Sequence, residues 1–303
     1  MPQPNASAGA RTAQLLVVLL AFAWGFNWIG AAVALKEVPV WSLRFVGTGL
    51  GAAVLFAAAA LSGRDLRIPS GELPHVAIAG FLNVAVFNVS AAFAQMSGAT
   101  SRVIIIVYSM PIWVAVLSHF MLGERLDNVR RLALALCIAG LTILVWPQFE
   151  AGMPPSIFLA LTCALSWALA SVYMKWAQAK IAPLANAAWQ LLIGTAFIAV
   201  GMVTVDHYPR VWPIHIESVL AILYIGFFGV GLAHFLWWSI VGRLTALTAS
   251  IGVLLVPVVG VTASAIMLHE RPTIPDIIGF VLIFAAAACV LLQPTVKHDE
   301  MPE

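Results

Sequence analysis

The pentapeptide MLGER (residues 121–125) recurs as MLHER (residues 267–271), 146 residues further along a chain of 303. The glutamate of each copy follows a proline by thirteen residues, and each proline, Pro111 or Pro257, lies inside a long apolar run. A copy displaced by about half the chain length indicates that the two halves are repeats of one structural unit.

Further matches appear in the same order along the chain. Trp24 in AFAWGFNW (21–28) aligns with Trp167 in CALSWALAS (163–171) at an offset of 143 residues. Several matches at a near-constant offset are a much stronger sign of an internal repeat than one short motif. The last matched pair, VWP (145–147) and LQP (292–294), lies near the end of each half.

The composition is that of a chain embedded in lipid. Hydrophobic residues make up 62% of the chain and charged residues 9%, with a mean hydropathy of +1.00. Soluble domains carry about a quarter charged residues, so this chain lacks the polar side chains that a water-facing surface needs. The net charge of +2 is scattered and forms no basic patch, which argues against a nucleic-acid partner.

Stretches without Asp, Glu, Lys or Arg predict the transmembrane helices, because a crossing takes about 20 apolar residues. Each half of the chain, 1–149 and 150–303, contains five such stretches, so the second half must enter the membrane from the opposite side. The predicted fold is an all-α integral membrane protein with ten transmembrane helices in a 5+5 inverted repeat. The ten windows are 12–35, 45–63, 73–101, 103–123, 132–149, 151–174, 181–205, 218–242, 244–269 and 277–296.

The positive charges between the windows predict the orientation. If the N-terminus is cytoplasmic, ten Lys and Arg residues fall on the cytoplasmic side and five on the other side. Both termini are therefore expected in the cytoplasm. The first window is longer than a signal-peptide core and no cleavage site follows it, so we expect it to be retained as a helix.

The paired windows with a mid-helix proline and a terminal Glu-Arg resemble the EamA repeats of the drug/metabolite transporter superfamily. The resemblance covers essentially the whole chain and is greatest to the aromatic amino-acid exporters of the YddG type. It implies a central cavity lined by helices 1, 3, 4, 6, 8 and 9, and alternating access by rocking of the two halves. It also implies a multi-pass protein of the plasma membrane, the bacterial inner membrane.

Asn27 lies in the first window, between two tryptophans. An unpaired amide is costly in hydrocarbon, so its side chain must face a neighbouring helix or a wet cavity. Trp24, Asn27 and Trp28 follow i, i+3, i+4 spacing and therefore share one helix face. Two interpretations stay open: Asn27 bonds a neighbouring backbone while the tryptophans fill space, or all three side chains line the cavity.

Other polar and aromatic side chains inside the windows are further candidates for the cavity lining. For each of them, plain packing and substrate contact are both open. For the histidine the alternatives are a neutral, hydrogen-bonded structural role, proton handling and substrate contact. These candidates are Asn88, Tyr108, Trp113, Ser166, Trp167, Tyr173 and His234.

Two prolines and two glutamates are candidates for a hinge or a gate. Pro111 and Pro257 each free a backbone carbonyl in mid-membrane, which gives either a static bend or a hinge for alternating access. Glu124 and Glu270 end their helices on opposite membrane faces, where each forms a structural ion pair with the other half or acts as a gate.

The middle of every window lacks charged residues, and this absence limits the classes of solute that the protein can be expected to bind. Cationic drugs require a buried carboxylate, and sugar phosphates or nucleotide sugars require a basic clamp. Arg44, Arg102 and Lys175 lie near window ends, so the expected solute is neutral or zwitterionic. An aromatic lining favours an aromatic or bulky apolar amino acid, and export of Phe, Tyr and Trp is what the resemblance implies.

Three alternatives to amino-acid export stay open: export of another metabolite or neutral drug, a membrane-embedded enzyme, and a passive channel. The sequence contains no HExxH, no GxSxG and no paired mid-membrane acids, so we expect no catalytic residue, metal or other cofactor. The expected partners are a small-molecule substrate and membrane lipid. The sequence does not give the oligomeric state, and a monomer is the working assumption.

Overall fold

The computed structural model describes residues 6–124, 126–149, 153–207, 211–241 and 246–291, with side chains over 15–124, 126–147, 153–207, 211–237 and 255–289. Within these ranges every regular element is a helix. Arg125 of MLGER, the LQP segment (292–294) and both chain termini lie outside the described residues.

The α-helices are α1 (Ala6–Ala34), α2 (Val40–Leu61), α3 (Leu73–Gly80), α4 (Phe87–Ser97), α5 (Thr100–Val107), α6 (Met110–Leu122), α7 (Asn128–Phe149), α8 (Pro155–Trp176), α9 (Pro183–Gly201), α10 (Ile216–Leu223), α11 (Ala233–Val241), α12 (Ala246–Met267) and α13 (Ile274–Leu291). The π-helical segments are π1 (Phe81–Val86), π2 (Met202–Asp206) and π3 (Tyr224–Leu232).

Eight helical stretches of the described chain are long and apolar enough to cross a membrane. Two shorter apolar stretches, Leu255–Met267 and Ile274–Cys289, lie within α12 and α13. The all-helical, membrane-embedded character expected from the composition is therefore confirmed over the described ranges. The count of ten transmembrane helices stays a prediction.

Several helices begin earlier than the charge-free windows predict. α2 begins at Val40 instead of residue 45, and α5 begins at Thr100, so Arg44 and Arg102 lie inside helices. α13 likewise begins before its window and carries Asp276 in its first turn. A charge marks the end of a helix only when its side chain reaches water, and Arg44 and Asp276 are only 4% and 6% exposed.

The packing of the helices is mirrored between the two halves. α1 packs against α12, and their counterparts in the repeat, α8 and α6, also pack against each other. α2 packs against π3, and its counterpart α9 packs against α3 and π1. The last helices of the two halves, α7 and α13, pack against each other, as do α2 and α9. Two equivalent halves that exchange the same contacts produce this pattern.

The π-helical segments also follow the repeat. π1 begins at Phe81 and π3 begins at Tyr224, an offset of 143 residues. The same offset separates Trp24 from Trp167 in the sequence. Because π-helical segments are rare and appear mostly at functional positions, a matched pair supports the structural equivalence of the two halves.

Close helix contacts at glycine form a second matched pair. A Cβ atom added at Gly51 of α2 would lie 2.2 Å from a methyl carbon of Val230 in π3. A Cβ atom added at Gly194 of α9 would lie 2.4 Å from Cβ of Val84 in π1. Each half therefore packs one helix against the π segment of the other half at a position where only glycine fits.

The contacts separate most helices into two groups. Group one contains α1, α2, α12 and the run from α10 through π3 to α11; group two contains α3 to α6 with π1, α8, and α9 with π2. We name the two ends of the bundle after the candidate gate residues. The Glu270 end is where α12 ends and α5 begins, and the Glu124 end is where α6 and α8 end.

Candidate functional site

Trp24 lies where α1 contacts α11. Its ring centroid is 5.9 Å from that of Trp237 and 6.1 Å from that of His234, which meets it edge to face. His234 Nδ1 lies 2.7 Å from the carbonyl oxygen of Val230, and since a carbonyl only accepts, Nδ1 carries the proton and donates it. His234 is thus a hydrogen-bonded member of an aromatic cluster, as a structural histidine would be.

Asn27 faces π3, next to Gly229. A Cβ atom at Gly229 would lie 2.2 Å from Asn27 Oδ1, so glycine is what admits the amide at this contact. Oδ1 is buried and accepts no hydrogen bond from any residue of the described ranges. A purely structural role for Asn27 would require such a bond, because buried polar atoms are nearly always paired.

Trp28 faces group two. It is buried and belongs to the hydrophobic cluster that contains Ile104 of α5 and Cys163 of α8. Gln95 of α4 donates a hydrogen bond from Nε2 to the carbonyl oxygen of Trp28 at 2.8 Å. The Oε1 atom of Gln95 is buried and has no donor among the described residues. Tyr108 lies beside the Trp28 indole, so aromatic and amide groups meet where the two groups of helices join.

Arg44, on α2, extends into this region. Its Nε atom is buried and makes no hydrogen bond within the described chain. The guanidinium lies in the neighbourhood of the buried thiol of Cys163 on α8. Arg44 lies near the start of α2, close to the end of a membrane-spanning helix as expected, but its side chain is buried. Pro39, a helix-start signal directly before α2, was the feature of the sequence that could have placed Arg44 inside the helix.

Three other candidates hydrogen-bond within their own segments. Asn88 Nδ2 donates to the carbonyl one turn earlier at 2.9 Å. Trp113 Nε1 donates to Ser109 Oγ at 3.0 Å, and buried Ser166 donates to the carbonyl of Cys163 at 3.0 Å. These contacts satisfy one donor each, and that of Ser166 is to the backbone of Cys163.

Tyr173 and Ser166 both lie on α8, seven residues apart, but at different depths of the bundle. Tyr173 lies at the Glu124 end, where its hydroxyl is 2.8 Å from His75 Nδ1. Trp167 is half-buried on α8, and its carbonyl oxygen accepts a hydrogen bond from Ser171. Seven residues of helix rise about 10 Å, which is enough to carry one face from the centre of a bundle to its end.

The two prolines occupy different structural settings. α5 ends at Val107 and α6 begins at Met110, so Pro111 lies in the first turn of a new helix, where its missing N–H is not needed. Pro257 lies inside α12, which runs unbroken from Ala246 to Met267. The matched prolines therefore give a helix break in one half and a continuous helix in the other.

The two glutamates also differ in their partners. Glu124 lies 2.5 Å from Lys175 Nζ and 3.8 Å from the guanidinium of Arg130. Glu270 instead accepts hydrogen bonds from the backbone N–H groups of Thr100 and Ser101, with nitrogen-to-oxygen distances of 2.6 and 2.8 Å. Its carboxylate thus caps the N-terminus of α5, where the helix dipole favours negative charge.

Further polar links join helices at the Glu270 end. Asp206 of π2 accepts hydrogen bonds from the N–H and the hydroxyl of Ser42 on α2, at 2.8 and 2.7 Å. Arg102 of α5 binds both carboxylate oxygens of Asp276 on α13, at 2.8 and 3.0 Å. Together with the Glu270 cap, these contacts tie group two to group one and to α13 at this end.

Glu37 and His215 form an ion pair at the same end, outside the membrane-spanning helices. The hydrogen bond from His215 lowers the pKa of Glu37 from 4.5 to about 2, and the bond to Glu37 raises the pKa of His215 above 6.5. The contribution of Glu37 to stability is complete above pH 4.5 and is lost as the pH falls toward 2. The contribution of His215 is complete below pH 6.5 and is lost as the pH rises through its raised pKa.

We therefore expect the histidine ring to report on this pair. An NMR titration of wild-type protein should give His215 a pKa above 6.5, and Glu37→Gln should return it to its ordinary value. Glu217→Gln, which removes a weaker charge interaction with the same ring, is the matched control and should change the pKa less. Equal shifts in the two variants would contradict the pairing.

The class of protein follows from three features: apolar helices of membrane-spanning length, mirrored contacts between two halves, and buried polar groups without partners among the described residues. Together they define a multi-pass membrane transporter. Residues 11–146 and 154–292 both match the EamA-like transporter family, and the chain belongs to that family.

The chain is similar to several bacterial transporters over most of its length. It is 27% identical over 279 residues to the "Uncharacterized transporter YoaV" of Bacillus subtilis, covering 88% of this chain and 92% of that protein. It is 25% identical over 284 residues to a "Probable amino-acid metabolite efflux pump" of Escherichia coli, covering 89% and 91%. A crystal structure at 23% identity shares the fold, with a TM-score of 0.65 over 92% of this chain and 97% of that one.

Proposed function

We propose that this chain exports amino acids, chiefly aromatic or bulky neutral ones such as Phe, Tyr and Trp, across a bacterial plasma membrane. In this proposal residues 1–149 and 150–303 are the two EamA repeats, arranged as ten transmembrane helices in a 5+5 inverted repeat with cytoplasmic termini. The family match and the relative named as an amino-acid metabolite efflux pump support export of a small solute. The mirrored helix contacts support alternating access, since equivalent halves can open to either side.

The observation that carries the amino-acid proposal is a set of buried polar atoms without partners beside aromatic rings. Asn27 Oδ1 and Gln95 Oε1 are buried acceptors without a donor in the described chain. Trp28 follows Asn27 on α1 and accepts a hydrogen bond from Gln95, and Tyr108 lies beside Trp28. An unsatisfied buried polar group costs about 1–3 kcal/mol. Such a cost is expected where the missing partner is a polar solute, and aromatic rings offer its side chain a large apolar surface.

The test is uptake of labelled phenylalanine into liposomes that contain the purified protein. We expect saturable uptake that Tyr, Trp and Leu block and that Lys and Glu do not. Asn27→Ala should reduce uptake on the order of tenfold without loss of folded protein, because it removes one solute hydrogen bond. Asn128→Ala, an exposed asparagine at the start of α7, is the matched control and should transport as wild type.

Two results would contradict the proposal. Uptake no greater than in empty liposomes would contradict amino-acid export. Other metabolites and neutral drugs would then be the next solutes to test. Uptake that continues without saturation, accompanied by single-channel currents, would instead favour a passive channel.

A further inference from the structure

Arg44 is a buried cation without a counter-charge. It is 4% exposed, its Nε atom is buried, and no carboxylate of the described chain forms a salt bridge with it. A buried charge without a partner costs several kcal/mol, so proteins almost always pair or neutralise it. An arginine kept in this state inside a membrane protein marks a functional site whose partner comes from elsewhere.

The acidic side chains at the Glu270 end do not supply this partner. Asp206, five residues beyond the end of α9, accepts hydrogen bonds from the N–H and the hydroxyl of Ser42, although Ser42 lies only two residues before Arg44. The others are bound elsewhere or face water. Glu37 pairs with His215, Glu270 caps α5, Asp276 binds Arg102, and Glu217 is exposed.

The surroundings of Arg44 are those of the candidate site. The guanidinium belongs to group one, whose helix α2 packs against α4 of group two, and it lies in the neighbourhood of Cys163 of group two. Cys163 is close to Tyr108, which in turn lies beside Trp28. Gln95, which bonds the carbonyl oxygen of Trp28, and Asn27, the residue before Trp28, each carry a buried acceptor atom without a donor among the described residues. An unpaired cation and unpaired acceptors, linked through the cluster around Trp28, are complementary to a solute that carries both a carboxylate and an amino group.

We propose that Arg44 binds the carboxylate of the transported solute and thereby restricts transport to carboxylate-bearing solutes. The planar guanidinium fork matches the two oxygens of a carboxylate, and the pair is strengthened where water is excluded. This inference rests on the proposed amino-acid export and names the group that Arg44 recognises.

The test compares ligands that differ only in the acidic group. The melting temperature of the purified full-length protein is followed during titration with phenylalanine, phenylalanine methyl ester, 3-phenylpropanoate and phenyl phosphate. We expect wild-type protein to bind phenylalanine at least about tenfold more tightly than the ester, the factor that a charge-assisted hydrogen bond provides. Arg44→Gln should bind the acid and the ester equally, and Arg44→Lys should recover part of the difference.

Two controls separate recognition from structure. Arg64→Gln, at an exposed arginine between α2 and α3, should keep the wild-type preference. Because Arg44 is unpaired, Arg44→Gln should leave the melting temperature without ligand unchanged or raised, since a desolvation cost disappears. A lowered melting temperature with equal loss of affinity for all four ligands would assign Arg44 a structural role and overturn the proposal.

Other outcomes are equally decisive. An unchanged preference for the acid in Arg44→Gln would overturn the proposal, and tighter binding of phenyl phosphate than of 3-phenylpropanoate would overturn the assignment to a carboxylate. Absence of phenylalanine uptake in liposomes, together with Arg44-dependent binding of 3-phenylpropanoate, would overturn amino-acid export and support Arg44 as the carboxylate-binding residue. The two proposals therefore fail separately.

Discussion

Gly194→Ala should lower the free energy of unfolding by about 2 to 3 kcal/mol, the usual cost of forcing extra atoms into a close-packed interior. The added Cβ atom would lie 2.4 Å from Val84 Cβ and 2.7 Å from the carbonyl oxygen of Gly80. The second contact is with backbone, so α9 would have to move away from π1 as a whole. Thermal or denaturant unfolding of the purified protein in detergent measures the loss.

A neighbouring glycine provides the matched control. A Cβ atom at Gly49 of α2 would meet only a methyl carbon of Thr195, at 3.6 Å, which is an ordinary contact. Gly49→Ala should therefore leave stability unchanged or raise it by up to about 1 kcal/mol, because alanine favours the helix. If Gly194→Ala and Gly49→Ala have the same stability, the close approach of α9 and π1 is not present in the protein.

The equivalent position in the other half should respond less strongly. A Cβ atom at Gly51 would meet the side chain of Val230 at 2.2 Å, while the nearest backbone atom, the nitrogen of Gly231, is 3.3 Å away. The methyl carbon of Val230 can rotate away, whereas its Cβ atom, at 2.7 Å, moves only with the backbone. Gly51→Ala should therefore also cost stability, but less than Gly194→Ala, because no backbone oxygen lies as close as that of Gly80. Gly47 and Gly51 form a GxxxG packing motif in the sequence. The sequence does not show at which of the two equivalent contacts an added Cβ atom is better accommodated.

The class of the fold is readable from the sequence because lipid imposes a simple rule. Backbone groups in hydrocarbon must bond within their own helix, so long charge-free runs mean helices. The helix ends are less predictable, and Arg102 shows why. The charge-free windows end at residue 101 and resume at 103, whereas the structure ends α4 at Ser97 and begins α5 at Thr100. Arg102 lies inside α5 because Asp276, 174 residues away, neutralises it.

The candidate site was only partly predictable, because burial and pairing depend on residues that are far apart in the sequence. Asn27 was recognisable because an amide in an apolar run is conspicuous whatever surrounds it. Arg44 was missed, since its burial depends on how α2 packs against distant helices and not on its neighbours in the sequence. Pro111 and Pro257 are equivalent in the sequence, yet only Pro111 follows a helix break. A repeat in sequence predicts equivalent folds, while alternating access requires the two halves to differ in conformation at any one time.

Glu270→Ala should open the Glu270 end of the bundle. Its carboxylate belongs to group one and caps α5 of group two through Thr100 and Ser101, so the contact has to break when the groups separate at this end. Hydrogen bonds to a charged acceptor each contribute about 1.5 to 3 kcal/mol when buried, and partial exposure reduces this. A net loss of about 2 kcal/mol would raise the population of the open form about 30-fold.

Thiol labelling measures this opening directly. Ser101→Cys places a thiol at a position that is 4% exposed, in a background where Cys137, Cys163 and Cys289 are replaced by alanine. The labelling rate with a small maleimide should rise about 30-fold on Glu270→Ala, and Glu217→Ala, at an exposed glutamate of the same end, should leave it unchanged. A lowered melting temperature without faster labelling would mean that Glu270 only caps α5. Faster labelling together with altered phenylalanine uptake would show that closure of this end is a step of transport. A gate residue changes the relative populations of the open and closed forms, whereas a helix cap changes only the stability of the fold.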